Sequence, residues 1–121
     1  MILVDTSVWV DHLRKTNDDL VDLLEAGQVT IHPFIVGEIA LGSLQNRTTV
    51  LTLLDTLKAL PKAQDNEVRL MIEKQSLFSR GIGWVDAHLI AAAQLASPML
   101  IWTRDKRFGE ICDELGIGFA L

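Results

Sequence analysis

Near its amino end the chain carries three consecutive apolar residues, Ile2-Leu3-Val4, with no polar residue between them. A strand that alternates apolar and polar residues covers one face of a sheet. A short unbroken apolar run suits a strand buried on both faces, as in a parallel sheet with helices above and below. Asp5 follows at once, then Thr6 and Ser7, both good helix-capping types. Helical apolar spacing begins behind them at Val8, Trp9 and Leu13. Asp5 is therefore expected at the carboxyl end of a central strand, where the chain turns into a helix. Open α/β sheets bind their ligands at that position.

The rest of the chain alternates in the same way. A helix is predicted from Ser7 to Arg14. Asn17 caps a second one, with Leu20, Leu23 and Leu24 as its apolar stripe and Gly27 as its stop. Val29-Thr30-Ile31 reads as a strand. Pro33 opens a helix to about Leu44, and Val50, Leu51, Leu53, Leu54 and Leu57 mark another. Ala59-Leu60 reads as a short edge strand stopped by Pro61. Asp65 is predicted to cap a helix from Asn66 to Arg80, and Gly81-Ile82-Gly83 to form a tight loop. Trp84 to Ala96 is the most apolar helix, ended by Pro98. Met99 to Trp102 is the clearest strand after the first. A helix from Asp105 to Leu115, closed by Gly116, and a last strand from Ile117 to Leu121 complete the series. Such alternation implies an α/β fold with a parallel, doubly wound sheet. No repeat, low-complexity stretch or linker interrupts residues 1–121, so one domain is expected.

Composition narrows the class. The 121 residues are 49% hydrophobic with a mean hydropathy of +0.26, which fits a chain that buries a core. Cys112 is the sole cysteine, so no intramolecular disulfide forms, as suits a reducing compartment. No apolar stretch reaches membrane-spanning length and no basic leader precedes the first strand, so a cytoplasmic protein is expected. The net charge of −5 argues against a general nucleic-acid coating protein. It leaves open an enzyme that holds a phosphodiester through metal ions, because the ions supply positive charge locally.

Three acids stand alone in apolar sequence. Asp5 is the only charge in the first ten residues, Glu38 the only one from Ala26 to Asn46, and Asp86 the only one from Gly81 to Thr103. A carboxylate is expensive to bury unless something pairs with it, and no Lys or Arg lies within these segments. A fourth acid, Asp105, follows Thr103-Arg104 at the end of the Met99–Trp102 strand. All four map to the carboxyl edge of one parallel sheet. Four carboxylates without a histidine pair form an oxygen-rich site that suits Mg2+ or Mn2+ rather than zinc. Such ions align and activate water for attack on a phosphodiester.

Each acid also has a plain structural reading. Asp5 could cap a helix, Asp86 could complement a helix dipole in a first turn, and Asp105 could be an N-cap. Glu38 is harder to explain so, being inside an apolar helix. Other residues offer less. His12 and His88 lack metal-ligand spacing, and His32 before Pro33 reads as a loop residue. Ser7 has no matched histidine and suits a supporting, water-orienting or capping hydroxyl better than a nucleophile. Gly81-Ile82-Gly83 lacks the third glycine of a dinucleotide loop. Trp9, Trp84 and Trp102 are read first as core residues.

Asp5-Thr6-Ser7, Glu38 within Pro33–Gly42, Gly81-Ile-Gly-Trp-Val-Asp-Ala-His88 and Thr103-Arg-Asp-Lys-Arg-Phe108 together resemble the PIN-domain ribonucleases, in particular the VapC toxins of toxin–antitoxin pairs. The resemblance covers essentially the whole chain in order, and all four acidic positions are filled. It implies a three-layer α/β/α fold with five parallel strands ordered 3-2-1-4-5. It also implies Mg2+- or Mn2+-dependent endoribonuclease activity, homodimerisation and inhibition by a cognate antitoxin. Carried over, Asp5, Glu38, Asp86 and Asp105 are the catalytic and metal-binding residues, with Ser7 and Thr103 in support.

Two rival classes stay open on residues alone. A receiver-type phospho-acceptor module has a similar length, sheet and acidic Mg2+ site, but would want an acceptor Asp after the third strand, where Leu60-Pro61 stands. A non-catalytic interaction domain would use the acids only as caps. Arg104, Lys106 and Arg107 form a basic patch beside Asp105 that either touches RNA phosphates or is a solvated helix start.

Overall fold

The computed structural model describes all of residues 1–121. Its first element is β1 (Ile2–Val4), followed by α1 (Thr6–Arg14), α2 (Asp18–Glu25), β2 (Val29–Ile31) and α3 (Pro33–Leu41). Then come α4 (Arg47–Thr56), β3 (Lys58–Ala59), α5 (Asp65–Lys74), α6 (Trp84–Leu95), β4 (Leu100–Trp102) and α7 (Lys106–Glu114). Every residue of β1 and β2 is buried. Successive side chains of a strand point to opposite faces, so the two central strands are covered on both sides.

The strands form one parallel sheet in the order β3-β2-β1-β4. β1 sits centrally, with Leu3 opposite Thr30 on one side and Ile101 on the other. The sheet has four strands, not the expected five. Ile117–Leu121 does run beside β4, where the fifth strand was expected, but it pairs only through a bridge between Ile101 and Gly118. Two backbone hydrogen bonds hold it: Ile101 N–H to the Ile117 carbonyl (2.7 Å) and Phe119 N–H to the Ile101 carbonyl (2.9 Å). Gly116, at φ +74°, turns the chain out of α7, and a Cβ on Gly118 would run into the Asp113 side chain. Gly118, inside the segment, weakens it as a strand, because glycine brings no side chain to pack. The position of β3 beside β2 also departs from the 2-1-3-4-5 order of flavodoxin-like folds, to which a receiver module belongs.

Helix limits follow local chemistry. Asn17 caps α2, accepting from Leu20 N–H at 3.0 Å, and Gly27 at φ +68° stops the chain after it. α3 ends at Leu41 rather than Leu44, because the chain becomes extended at Gly42. α5 starts at Asp65 itself. Its cap residue is Gln64, whose N–H donates to the Glu67 carboxylate at 3.0 Å, so Asp65 is not the cap. α5 also stops at Lys74, well short of Arg80, since Ser76 and Ser79 take left-handed conformations (φ 52° and 59°). α6 is buried along Ala87–Ala93, where four alanines and His88 accompany Leu89 and Ile90. A helix so apolar lies within the protein, and its small residues permit close approach to the sheet.

A single cluster of 28 buried residues forms the core, with Leu3, Trp9, Ile35, Leu89, Ile101 and Phe108 among its largest members. Cys112 lies in it as a free thiol, pushed up to about 12 by burial first and then by nearby carboxylates, so it is inert packing. No helix is long and apolar enough to cross a membrane.

Candidate active site

Asp5 extends β1 by one step: its N–H donates to the Trp102 carbonyl of β4 at 2.8 Å. It occupies the cap position of α1, yet its carboxylate makes no capping hydrogen bond. The buried carboxylate is instead held by two hydroxyls. Ser7 Oγ donates to Oδ2 at 2.9 Å, and Thr103 Oγ1 donates to the same oxygen at 2.8 Å. Both hydroxyls also accept. Arg104 N–H donates to Ser7 Oγ at 3.0 Å, and Asp105 N–H to Thr103 Oγ1 at 3.1 Å. The loop between β4 and α7 is thereby tied to the end of β1. The desolvation of Asp5 is offset by neutral donors and by no cation, so its negative charge stays uncompensated.

Glu38 is the sixth residue of α3 and is exposed; Thr6 Oγ1 donates to its Oε1 at 2.7 Å. Asp86 is the third residue of α6, half-buried, and its Oδ2 accepts from Gly83 N–H at 3.2 Å. Burial raises its carboxyl above the ordinary range against the opposing Gly83 hydrogen bond, and the charges of Asp5, Asp105 and Glu38 raise it further. Asp105 is the cap of α7, its Oδ1 accepting from Phe108 N–H at 3.0 Å. Capping therefore accounts for part of Asp86 and Asp105, but for nothing in Asp5 or Glu38.

The four acids share one edge of the sheet within electrostatic reach of Asp86. None is ion-paired: the two pairs with Arg are Arg80–Glu114 and Arg104–Asp11, and His88 Nε2 lies 3.2 Å from Asp65 Oδ1. No three of them close on a common point as the side chains stand. A donor set made only of carboxylates, with hydroxyls supporting it, fits a hard divalent cation.

The basic patch divides. Arg104 Nε is turned away to Asp11 Oδ2 of α1, at 2.6 Å. Arg107 lies over the loop before α6, so close that a Cβ on Gly81 (φ +80°) would sit 2.5 Å from its Cδ. Lys106 is exposed. An open groove of about 680 Å³ adjoins Glu38, walled by Val10, Leu13, Arg14, Ile39 and Leu44 among others; the remaining three acids do not line it.

Some expectations need correction. His32 is no loop residue. It is fully buried at the cap of α3, with Nδ1 accepting from Phe34 N–H at 3.0 Å. The Pro33 that follows it marks that position in hindsight, since proline is favoured at the first helical residue. Trp9 and Trp102 are core residues, whereas Trp84 is 42% exposed and packs edge-on against buried His88, with ring centroids 4.7 Å apart. Thr6 was read only as a cap, and its hydrogen bond to Glu38 spans 32 residues of sequence.

The family model for the PIN domain matches residues 2–114. The chain belongs to the PIN-domain family. The matched span holds all four acids, Ser7, Thr103 and the Gly81–Gly83 loop of this PIN domain, and it stops before the reduced fifth strand. The chain is also similar to Ribonuclease VapC32 of Mycobacterium tuberculosis, with 42% identity over 120 residues, or 99% of this chain and 97% of the relative. The match is the same for that protein from strains CDC 1551 / Oshkosh and ATCC 25618 / H37Rv.

Proposed function

We propose that residues 1–121 form one PIN-like nuclease domain, a Mg2+- or Mn2+-dependent endoribonuclease that acts as the toxin of a toxin–antitoxin pair. The observation that carries this reading is a set of four carboxylates on the carboxyl edge of a parallel sheet with no cation of the protein's own. Likeness to a named ribonuclease over nearly the full length supports RNA as the substrate.

In this reading Asp5, Glu38, Asp86 and Asp105 hold the ion. When bound, it supplies Lewis acidity toward the phosphate and a lowered water pKa. The chain's own residues do the positioning. Ser7 and Thr103 fix Asp5, and through their accepted backbone bonds they set the β4–α7 loop that carries Asp105. Gly83 N–H orients Asp86. Lys106 and Arg107 are the freer cations for RNA phosphates, because Arg104 is already engaged by Asp11.

The test is cleavage of single-stranded or looped RNA by the purified chain. Activity is expected with Mg2+ or Mn2+ and none in excess EDTA; full activity in EDTA overturns the metal-nuclease reading. A receiver module would instead be labelled by acetyl phosphate. The sheet order and the Leu60-Pro61 that follows β3 both speak against that alternative.

The reading extends to partners and compartment. The groove beside Glu38 mixes apolar residues (Val10, Leu13, Ile39 and Leu44) with Arg14 and Glu38, which suits an amphipathic antitoxin helix that carries a basic side chain toward the acids. We read the protein as a cytoplasmic homodimer; the buried, unpaired Cys112 fits a reducing compartment. Light scattering at high micromolar concentration is expected to give twice the chain mass, and co-expression of a neighbouring open reading frame to abolish toxicity. A strict monomer, or toxicity untouched by the neighbour, counts against the respective partner.

A further inference from the structure

We infer that Thr6 is the positioning residue for Glu38, holding one carboxylate oxygen so that the other is presented to the divalent cation. The inference rests on the metal-dependent reading above.

Glu38 and Asp105 are the exposed members of the acidic set, but Asp105 is fixed as the cap of α7, whereas Glu38 has no cap role and no ion-pair partner. An exposed glutamate on a helix ordinarily moves among many rotamers, and ordering it costs entropy. Here one contact orders it: Thr6 Oγ1 donates to Oε1 at 2.7 Å. That is a full-strength length for a hydroxyl donor, and it falls within the range of hydroxyl–carboxylate bonds. Oε2 accepts no hydrogen bond from the protein.

A first-turn threonine usually spends its hydroxyl on its own helix. Thr6 does not. Asp5 holds the cap position of α1, and the Thr6 hydroxyl reaches across to α3. The branched Cβ of threonine restricts χ1 and so fixes the direction of the hydroxyl. Donor type matters as well. A lysine or arginine in this place would neutralise Glu38 and compete with the cation, whereas a hydroxyl leaves the full charge. Consecutive residues at the end of β1 thus serve two ligands: Asp5 by itself, and Thr6 through Glu38.

The experiment measures Mn2+ binding to the RNA-free protein by electron paramagnetic resonance, in the wild type, Thr6→Val, Thr6→Ser, Glu38→Gln and the double variant Thr6→Val/Glu38→Gln. Losing a group that orients a metal ligand typically weakens affinity by about 10-fold or more, and that is the loss expected for Thr6→Val. Thr6→Ser keeps the donor without the branch that fixes its direction, and is expected to bind more weakly than the wild type but more tightly than Thr6→Val. Thr6→Val should add no loss once Glu38 is already Gln. In cleavage assays, raising Mn2+ should rescue Thr6→Val but not Glu38→Gln. If Glu38→Gln binds weakly while Thr6→Val binds like the wild type, Thr6 is a structural residue only and the metal site stands. An equal further loss in the double variant also overturns the inference, because Thr6 would then act through some other group. If the wild type binds no Mn2+, or Glu38→Gln binds as well as the wild type, the metal-site reading itself falls and takes the role of Thr6 with it.

Discussion

Alanine at Asp5, Glu38 or Asp86 is expected to lower kcat/KM for RNA cleavage by about a thousand-fold, since charge stabilisation through a metal site is worth several kcal/mol and ~4 kcal/mol corresponds to three decades. Stability separates Asp5, Asp86 and Asp105 from one another. Asp86 is half-buried and its charge is disfavoured there, which opposes the loss of its bond from Gly83 N–H, so Asp86→Ala should change the melting temperature little. Asp5→Ala should lower it, because Ser7 and Thr103 lose the oxygen to which both donate. Asp105→Ala removes the cap of α7, a change that costs about 0.5–2 kcal/mol. Asp105→Asn retains the cap and isolates the effect of charge on cleavage. Circular dichroism melts and single-turnover cleavage on the same samples check the set. If all four alanine variants cleave normally, with only Asp105→Ala less stable, the acids are caps and packing residues.

The reason these acids could be found without a structure is that each breaks a local pattern. Asp5 ends an unbroken apolar run, and Glu38 and Asp86 are single charges in long uncharged segments. The limits of β1 and β2 were legible for a similar reason, since Ile2–Val4 and Val29–Ile31 are short, largely apolar and bounded by polar or turn residues, whereas β3 lies one residue earlier than Ala59-Leu60 and β4 starts at Leu100 rather than Met99. What stayed hidden is non-local. Thr6 and Glu38 meet across 32 residues, and His32 at the cap of α3 and His88 in α6 approach to 6.5 Å between ring centroids. No periodicity carries such information. The reduced fifth strand is a different failure. Ile117-Gly118-Phe119 looks like a strand by composition, but whether it pairs over one residue or four depends on the turn at Gly116 and on Asp113 beside Gly118. α5 was drawn too long because Glu73 to Arg80 is polar enough for a helix surface, while Ser76 and Ser79 take conformations that no propensity scale assigns to serine.

Loss of stability in mild acid is the second large effect, and His32 is its source. The ring is fully buried, and its Nδ1 accepts from Phe34 N–H, a role open only to the unprotonated nitrogen. Around it stand Phe34 of α3, His88 of α6 and the Lys62 ammonium, which lies 5.3 Å from the Phe34 ring centroid. Burial first, then the charges of His88 and Lys62, bring its pKa down from 6.5 to about 4. A histidine with a lowered folded pKa binds fewer protons in the native state than in the unfolded chain. The stability it confers is therefore complete above pH 6.5 and is lost as pH falls from there toward 4. At 1.36 kcal/mol per unit the loss is on the order of 3 kcal/mol, a large share of the margin of a small domain. His12, also lowered by burial and accepting from Asn17 N–H, adds in the same direction. Asp86 works the other way, because its raised carboxyl makes the native state the tighter proton binder as the pH drops into the carboxylate range. His32→Asn isolates the dominant group, since asparagine offers a cap oxygen and does not titrate. Urea midpoints at pH 7.5, 6 and 5 should fall steeply for the wild type and far less for His32→Asn. Parallel losses in the two proteins would assign the acid sensitivity elsewhere and leave His32 as a cap alone.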